Sequence, residues 1–262
     1  MGDLAALRAR LSELDRVVVA FSGGADSAFL AWVAHDTLGD RASAVTAVSP
    51  SLAGLEHDDC RRLAQEWGLD WHEVHTDEME NAAYRRNDTD RCFWCKDALM
   101  DAVGPVIEAT EATVALGVNL DDLTDHRPGQ RAAAERGAVF PLVDAGFTKD
   151  DVRQTSRELG LRTWDKPAAP CLASRLPYGT PVTLGRLRSV EQAEAALRAM
   201  GFDELRVRHH GELARIELPL ARIDQALAIR ADVVDAVRAA GYRWVSIDLD
   251  GLRSGNLNPP TP

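Results

Sequence analysis

A short glycine-bearing loop near its start constrains this chain more than any other feature. Residues 17–21 (Val-Val-Val-Ala-Phe) form an apolar, β-branched run, Ser22-Gly23-Gly24-Ala25-Asp26-Ser27 follows, and an apolar helical stretch extends from about residue 26 to residue 38. The order is strand, tight loop, helix. The alternation continues, with strands expected at 43–48, 70–75 and 113–117 and helices at 55–67 and near 95–109. Strands and helices in alternation build an α/β domain, a parallel sheet covered by helices on both faces.

A helix near 148–159 opens at Thr148, with Asp151 three residues on as a capping-box variant, and closes at Gly160. Pro167, Pro170, Pro177 and Pro181 then crowd a stretch that no long helix or central strand tolerates. The domain boundary is placed there. Residues 1–165 are read as the α/β domain, 166–182 as a Pro-rich connection carrying Cys171, and 183–255 as a smaller C-terminal α+β domain. In the last, the pattern predicts a helix at 183–200, strands at 203–209 and 212–218, a helical pair between 220 and 240 and a strand at 242–248. Residues 256–262 read as a disordered tail. A length of 262 residues suits one larger domain with an appendage.

With 45% hydrophobic and 27% charged residues the composition is that of a globular protein, which excludes a disordered, collagen-like or disulfide-scaffold chain. Asp26 interrupts the best apolar stretch, Val17 to Ala34, so no membrane span is expected. The first residues carry neither a signal-peptide nor a myristoylation pattern, and a cytoplasmic location is the expectation. A formal net charge of −11 makes a nucleic-acid partner unexpected, because such binding draws on basic groups that neutralise phosphates. The acidic excess lies before residue 171, and the remainder is close to balanced. Cys60, Cys92, Cys95 and Cys171 read as metal ligands, reactive thiols or core residues rather than as disulfides.

In the loop, glycines let backbone N–H groups turn inward, the helix N-terminus adds partial positive charge, and Ser22 and Ser27 offer hydroxyls. The result is a cradle for oxyanions, beside which Asp26 can hold the Mg²⁺ that accompanies a nucleoside triphosphate. No Lys follows the glycines, so this is not a Walker A loop. Ser-Gly-Gly-x-Asp-Ser after an apolar strand resembles the pyrophosphate loop of the N-type ATP pyrophosphatases. Gly117-Val118-Asn119-Leu120-Asp121-Asp122 resembles the Gly-x-Asn-x-Asp-Asp segment which that superfamily places near the nucleotide. The resemblance implies an adenine nucleotide α hydrolase-like fold and an ATP site made by Ser22, Gly23, Gly24, Asp26, Ser27, Gly117, Asn119 and Asp122. It also implies cleavage of ATP between the α and β phosphates, with AMP placed on a carboxylate or carbonyl oxygen.

Further segments narrow the match. Arg91-Cys92-Phe93-Trp94-Cys95-Lys96, Asp125-His126-Arg127-Pro128-Gly129, Trp164-Asp165-Lys166-Pro167, Cys171-Leu172-Ala173-Ser174-Arg175 with Pro177-Tyr178-Gly179, and Arg206-Val207-Arg208-His209-His210-Gly211 occur in that order. Over about residues 16–250 the chain is similar to the ATP-dependent sulfur transferases that build the nickel-pincer nucleotide, the cofactor of lactate racemase. The resemblance implies adenylation of a carboxylate of pyridinium-biscarboxylic acid mononucleotide and its conversion to a thiocarboxylate. It further implies a sulfur donor such as sulfide, and a homo-oligomer.

Cys171 sits in the Pro-rich connection beside Ser174 and Arg175, where a neighbouring guanidinium would favour its thiolate. A single cysteine is more often a small buried hydrophobe, but the resemblance makes Cys171 the sulfur-handling residue and, with Asp26, a candidate for catalysis. Cys92 and Cys95 form a Cys-x-x-Cys just ahead of the expected helix, which suits a redox pair, half of a zinc site or two ligands of an iron–sulfur cluster. With Cys171, three thiolates would hold a 4Fe-4S cluster and leave one iron for sulfide. Relatives that lack the pair sacrifice the sulfur of the lone cysteine instead. Cys60 is expected to be partly buried and not a fourth ligand.

Arg206 and Arg208 alternate along an expected strand and share a face with His210, which suits either a phosphate site or a solvated strand face. The resemblance implies the phosphate of the substrate there, with Arg175, Glu194 and Glu217 beside the same pocket. Two other functions stay open from the sequence. One is an RNA thiolase of the same superfamily, against which the net charge of −11 counts, and the other is a nucleotide or cluster sensor without turnover.

Overall fold

In the computed structural model the elements run α1 (Leu4–Glu13), β1 (Val17–Ala20), α2 (Ala25–Leu38), β2 (Ala42–Val48), α3 (Gly54–Trp67), β3 (Asp70–His75), α4 (Ala82–Arg86), α5 (Arg91–Thr110), β4 (Thr113–Leu116), α6 (Pro128–Glu135), α7 (Pro141–Asp144), α8 (Lys149–Glu158), α9 (Leu184–Ala199), β5 (Arg206–His210), β6 (Leu213–Glu217), α10 (Ile223–Ala228), α11 (Arg230–Ala239) and β7 (Trp244–Ile247). The structure describes residues 2–124 and 128–253. Asp125, His126 and Arg127 and the expected disordered tail, 256–262, lie outside the described residues. Among the described residues no helix is long and apolar enough to cross a membrane.

The chain divides into two compact units, residues 1–81 with 90–169, and residues 82–89 with 170–262. The first is the expected α/β arrangement. Its sheet has the order β3-β2-β1-β4, every neighbour parallel, with Val17 level with Ala42 on one side and Thr113 on the other. β1 is central and buried on both faces, which is why Val17, Val18 and Val19 run on without a polar residue between them. Val17 and Val19 point into a cluster with Leu7, Leu11, Phe29 and Phe147, whereas Val18 points to the other side with Val45, Leu99, Val103 and Val114. Each such side chain contributes about 1.5–3 kcal/mol by leaving water. α2 is buried over most of its circumference, so its axis lies fixed against the sheet and its N-terminus stays where β1 ends.

Two details of the first unit depart from the expected pattern, and a third bears it out. α5 begins at Arg91, so Cys92 and Cys95 lie in its first turn and not ahead of it. α1 was not anticipated, although Asp3 caps it by accepting from the amides of Ala5 and Ala6. The capping box at Thr148 forms with both of its hydrogen bonds, and α8 ends at Glu158 before Gly160, which has φ +73°.

In the second unit β5 pairs antiparallel with β6, and β6 runs parallel to β7, giving a small mixed sheet. Phe202, Leu205, Val207, Ile216, Leu218, Val233 and Val237 make its core. The segment 82–89 joins this unit, an excursion that a linear reading of the chain does not contain. It is held by Asn87, whose amide Nδ2 donates to the carbonyls of Leu176 (3.3 Å), Pro177 (2.9 Å) and Thr180 (2.8 Å). Backbone bonds from Gly179 to Asn87 and from Val182 to Arg85 complete the seam.

Candidate functional site

The loop 22–24 leaves the carboxyl end of β1, the edge where open α/β sheets place their ligands. Gly23 has φ +69°, and a Cβ there would lie 2.9 Å from the sulfur of Cys60, so conformation and space both require glycine. Gly24 caps α2 without a side chain, which leaves the first amides of the helix without a side-chain acceptor. The hydroxyl of Ser27 accepts from the Ser22 amide (3.2 Å) and donates to the Gly24 carbonyl (3.2 Å), with the Ser22 hydroxyl 3.0 Å away. These bonds hold the loop in a single curve.

The second motif meets the first. β4 lies beside β1, and a Cβ on Gly117 would stand 2.7 Å from the Ser27 nitrogen and 2.8 Å from the Asp26 carbonyl carbon. Only glycine lets the two backbones approach so closely. Asn119, fully buried, donates from Nδ2 to Asp26 (3.1 Å) and is itself held by reciprocal bonds with Asp122, amide to carboxylate (3.3 Å) and amide to side-chain oxygen (3.2 Å). Burial pushes the Asp26 carboxyl above its usual range, against the Asn119 hydrogen bond, while the charge of Asp122 adds to the rise and those of Lys149 and Arg153 oppose it. A desolvated carboxylate with a neutral partner and a second acid nearby suits a divalent cation.

Behind the loop stands a network that the sequence reading did not single out. The Lys166 ammonium donates to the Gly23 carbonyl (3.0 Å), to Asp59 (2.7 Å) and to Glu56 (2.8 Å). Asp59 also receives Arg162 (2.9 Å), and Arg162 binds Glu66 (2.8 Å). Burial alone would raise the Asp59 carboxyl, but hydrogen bonds from Lys166 and Arg162 hold it below its usual range. The helical spacing of Glu56 and Asp59, three apart, was the available signal.

Cys60 is fully buried, more than expected, and burial pushes its thiol up to about 11. It packs under Gly23 as a small hydrophobe. Cys92 is exposed and Cys95 half-buried, three apart in the first turn of α5 and so on one side of it. In the second unit Cys171 is half-buried and opens the 3-10 turn Leu172–Arg175. None of the four cysteines is in a disulfide. Among the described residues neither unit by itself gathers three His, Cys, Asp or Glu side chains into a metal-binding group.

Arg175 comes beside Cys171 as expected, but its guanidinium is buried and engaged. It donates to the carbonyls of Pro170 and Cys171, to the Ser174 hydroxyl (3.1 Å) and to Glu194 (2.8 and 3.2 Å). Glu194 also accepts from Arg198 (3.1 Å) and from the Val207 amide (3.1 Å). Glu217 accepts from Arg208 (2.9 Å) and Arg215 (3.1 Å), and Arg208 donates on to the Ser174 carbonyl (3.0 Å). Glu194 and Glu217 are 1% and 0% exposed and Arg208 3%, so at Arg208 the picture of a solvated strand face is overturned, while His210 on the same face is exposed. The antiparallel register explains it, since Arg206 faces Glu217 and Arg208 faces Arg215 on one side of the β5–β6 pair. Arg206 is half-buried, and burial together with repulsion from Arg208 and Arg175 draws its affinity for the proton down. An anion beside it would relieve that repulsion.

Three relatives share almost the full length. An uncharacterised protein of Synechocystis sp. is 45% identical over 96% of this chain and 95% of its own. The pyridinium-3,5-bisthiocarboxylic acid mononucleotide synthase of Lactiplantibacillus plantarum is 38% identical over 97% of this chain and 93% of its own. An uncharacterised protein of Methanocaldococcus jannaschii is 24% identical over 91% of each. No family model matches the chain. Identity at that level over nearly the whole of both chains, with the loop and its partner segment assembled as the motifs require, places the chain in the family of the pyridinium-3,5-bisthiocarboxylic acid mononucleotide synthases.

Proposed function

We propose that the chain is an ATP-dependent sulfur transferase that converts a carboxylate of pyridinium-biscarboxylic acid mononucleotide to a thiocarboxylate. The full-length similarity to the synthase of that bisthiocarboxylic acid nucleotide carries this reading. In it, the amides of the 22–24 loop and the start of α2 receive the phosphates of ATP, and Asp26 holds Mg²⁺ with Asn119 and Asp122 behind it. A carboxylate oxygen of the substrate attacks the α phosphorus, pyrophosphate leaves, and the acyl adenylate is opened by sulfur with loss of AMP. Arg206, with Arg208, Arg175, Glu194 and Glu217 shaping the basic face around it, receives the substrate phosphate.

For the sulfur step we assign Cys92, Cys95 and Cys171 as ligands of a 4Fe-4S cluster. The pair, exposed at Cys92 and half-buried at Cys95 on one side of α5, supports two of the three ligands. When bound, such a cluster supplies an iron that takes up sulfide. The chain's own task is to present three thiolates. We further assign the protein to the cytoplasm, as a homo-oligomer.

The test is release of pyrophosphate from Mg·ATP, dependent on the pyridinium mononucleotide. Asp26→Asn should abolish it. Because burial raises this carboxyl in the fold, its charged form weakens the metal-free protein as pH rises through its folded pKa, so the Asn variant should melt no lower than the parent at neutral pH. A folded Asp26→Asn protein that releases pyrophosphate at the parent rate refutes the assignment.

A further inference from the structure

The Lys166 ammonium has three donors, and the structure places an acceptor on each: the Gly23 carbonyl, Asp59 and Glu56. None remains for a phosphate. Its side chain is 17% exposed, and its two carboxylate partners both come from α3, the helix whose Cys60 lies under Gly23. Lysine here therefore does something other than a phosphate-binding loop lysine. In a planar trans peptide the carbonyl of one residue and the N–H of the next point in opposite directions. Drawing the Gly23 carbonyl toward Lys166 turns the Gly24 N–H the other way. It also holds Gly23 in its left-handed conformation, at φ +69°.

We propose that Lys166 is a positioning residue for the nucleotide loop: anchored by Glu56 and Asp59, it holds the Gly23–Gly24 peptide so that the Gly24 N–H is already turned toward an incoming triphosphate. The proposal rests on the reading of this loop as the ATP site. An unclamped peptide between two glycines samples many orientations, and ordering it on binding would cost affinity. The clamp removes that cost before the nucleotide arrives. Lys166, directly after the Trp164-Asp165 pair, thus acts on ATP through a backbone carbonyl.

The experiment uses the full chain and Mg²⁺ with α,β-methylene-ATP, whose uncleavable bond isolates binding. Titration calorimetry should show Lys166→Met binding the analogue roughly tenfold or more weakly, the size of one charge-assisted hydrogen bond, with Lys166→Arg recovering most of the loss. The Gly24 amide resonance should move in Lys166→Met while those of Val17–Ala20 stay in place, a signature that general loosening would not produce. Removing the ammonium leaves Glu56 without its cation while Asp59 keeps Arg162, so the double variant Lys166→Met with Glu56→Gln is read alongside; it should fold more readily and still bind weakly. If either folded variant binds the analogue as tightly as the parent, whatever its melting temperature, the positioning role is overturned and the nucleotide site stands. If the parent itself does not bind the analogue, the nucleotide reading falls and this proposal with it.

Discussion

At the scale of single residues, charge and sulfur sit in environments that differ sharply between chemically similar groups. Cys60 is sealed in the core, its thiol raised to about 11, whereas Cys92, Cys95 and Cys171 keep some access to solvent. A buried thiol whose ionisation is suppressed at neutral pH is a poor nucleophile. Under the cluster assignment, Cys92→Ala, Cys95→Ala and Cys171→Ala should each lose iron and each fail to transfer sulfur, while Cys60→Ala keeps its iron. Anaerobic iron and sulfide analysis checks this. Intact-mass measurement after turnover separates it from sacrifice of a cysteine, because conversion of residue 171 to dehydroalanine would lighten the chain by about 34 Da through loss of hydrogen sulfide. Such a loss, with only Cys171→Ala inactive, would remove the cluster from the mechanism. The residue types and the Cys-x-x-Cys spacing were legible in the sequence, but the burial of Cys60 was not, since it depends on Gly23, far away in the chain, coming to rest against it.

At the scale of elements, the seam between α4 and the Pro-rich stretch depends on one side chain. Asn87 is 0% exposed, adopts φ +61° and offers its amide to the carbonyls of Leu176, Pro177 and Thr180. Asn87→Ala removes those bonds and leaves an alanine in a left-handed conformation, which should cost roughly 2–3 kcal/mol. Asn87→Gly should recover about 1 kcal/mol of that, since glycine tolerates the conformation but restores no hydrogen bond. Urea unfolding of the pair measures both parts; equal stabilities would mean that the backbone conformation carries no strain. β3 and α9, on either side, were readable from their periodicity and caps within a few residues, whereas α4 was not read. The seam was not, because its acceptors are backbone carbonyls about ninety residues downstream, and no local pattern announces which asparagine will reach them.

For the whole molecule, the two proposed anion sites belong to different units, the glycine loop to the first and the Arg206 face to the second. Arg206→Ala should therefore raise the KM for the nucleotide acceptor and leave the affinity for the ATP analogue nearly unchanged. Steady-state kinetics with separate ATP titrations checks it, and equal loss of both would indicate a folding defect or an ATP role for Arg206. The sequence by itself determined the α/β class, the loop between β1 and α2, its Gly117-to-Asp122 partner and the alternation of arginines on β5, because all of these are written in local spacing, in glycine where backbones must bend or touch, and in apolar runs where a strand is buried on both faces. Tertiary structure alone decided which charges meet. Glu194 and Glu217 became buried counter-ions of four arginines, Lys166 found Gly23, and residues 82–89 joined the second unit. The physical reason is that a charge is placed by whatever partner the packed fold brings within about 3 Å, and desolvation makes that partner obligatory.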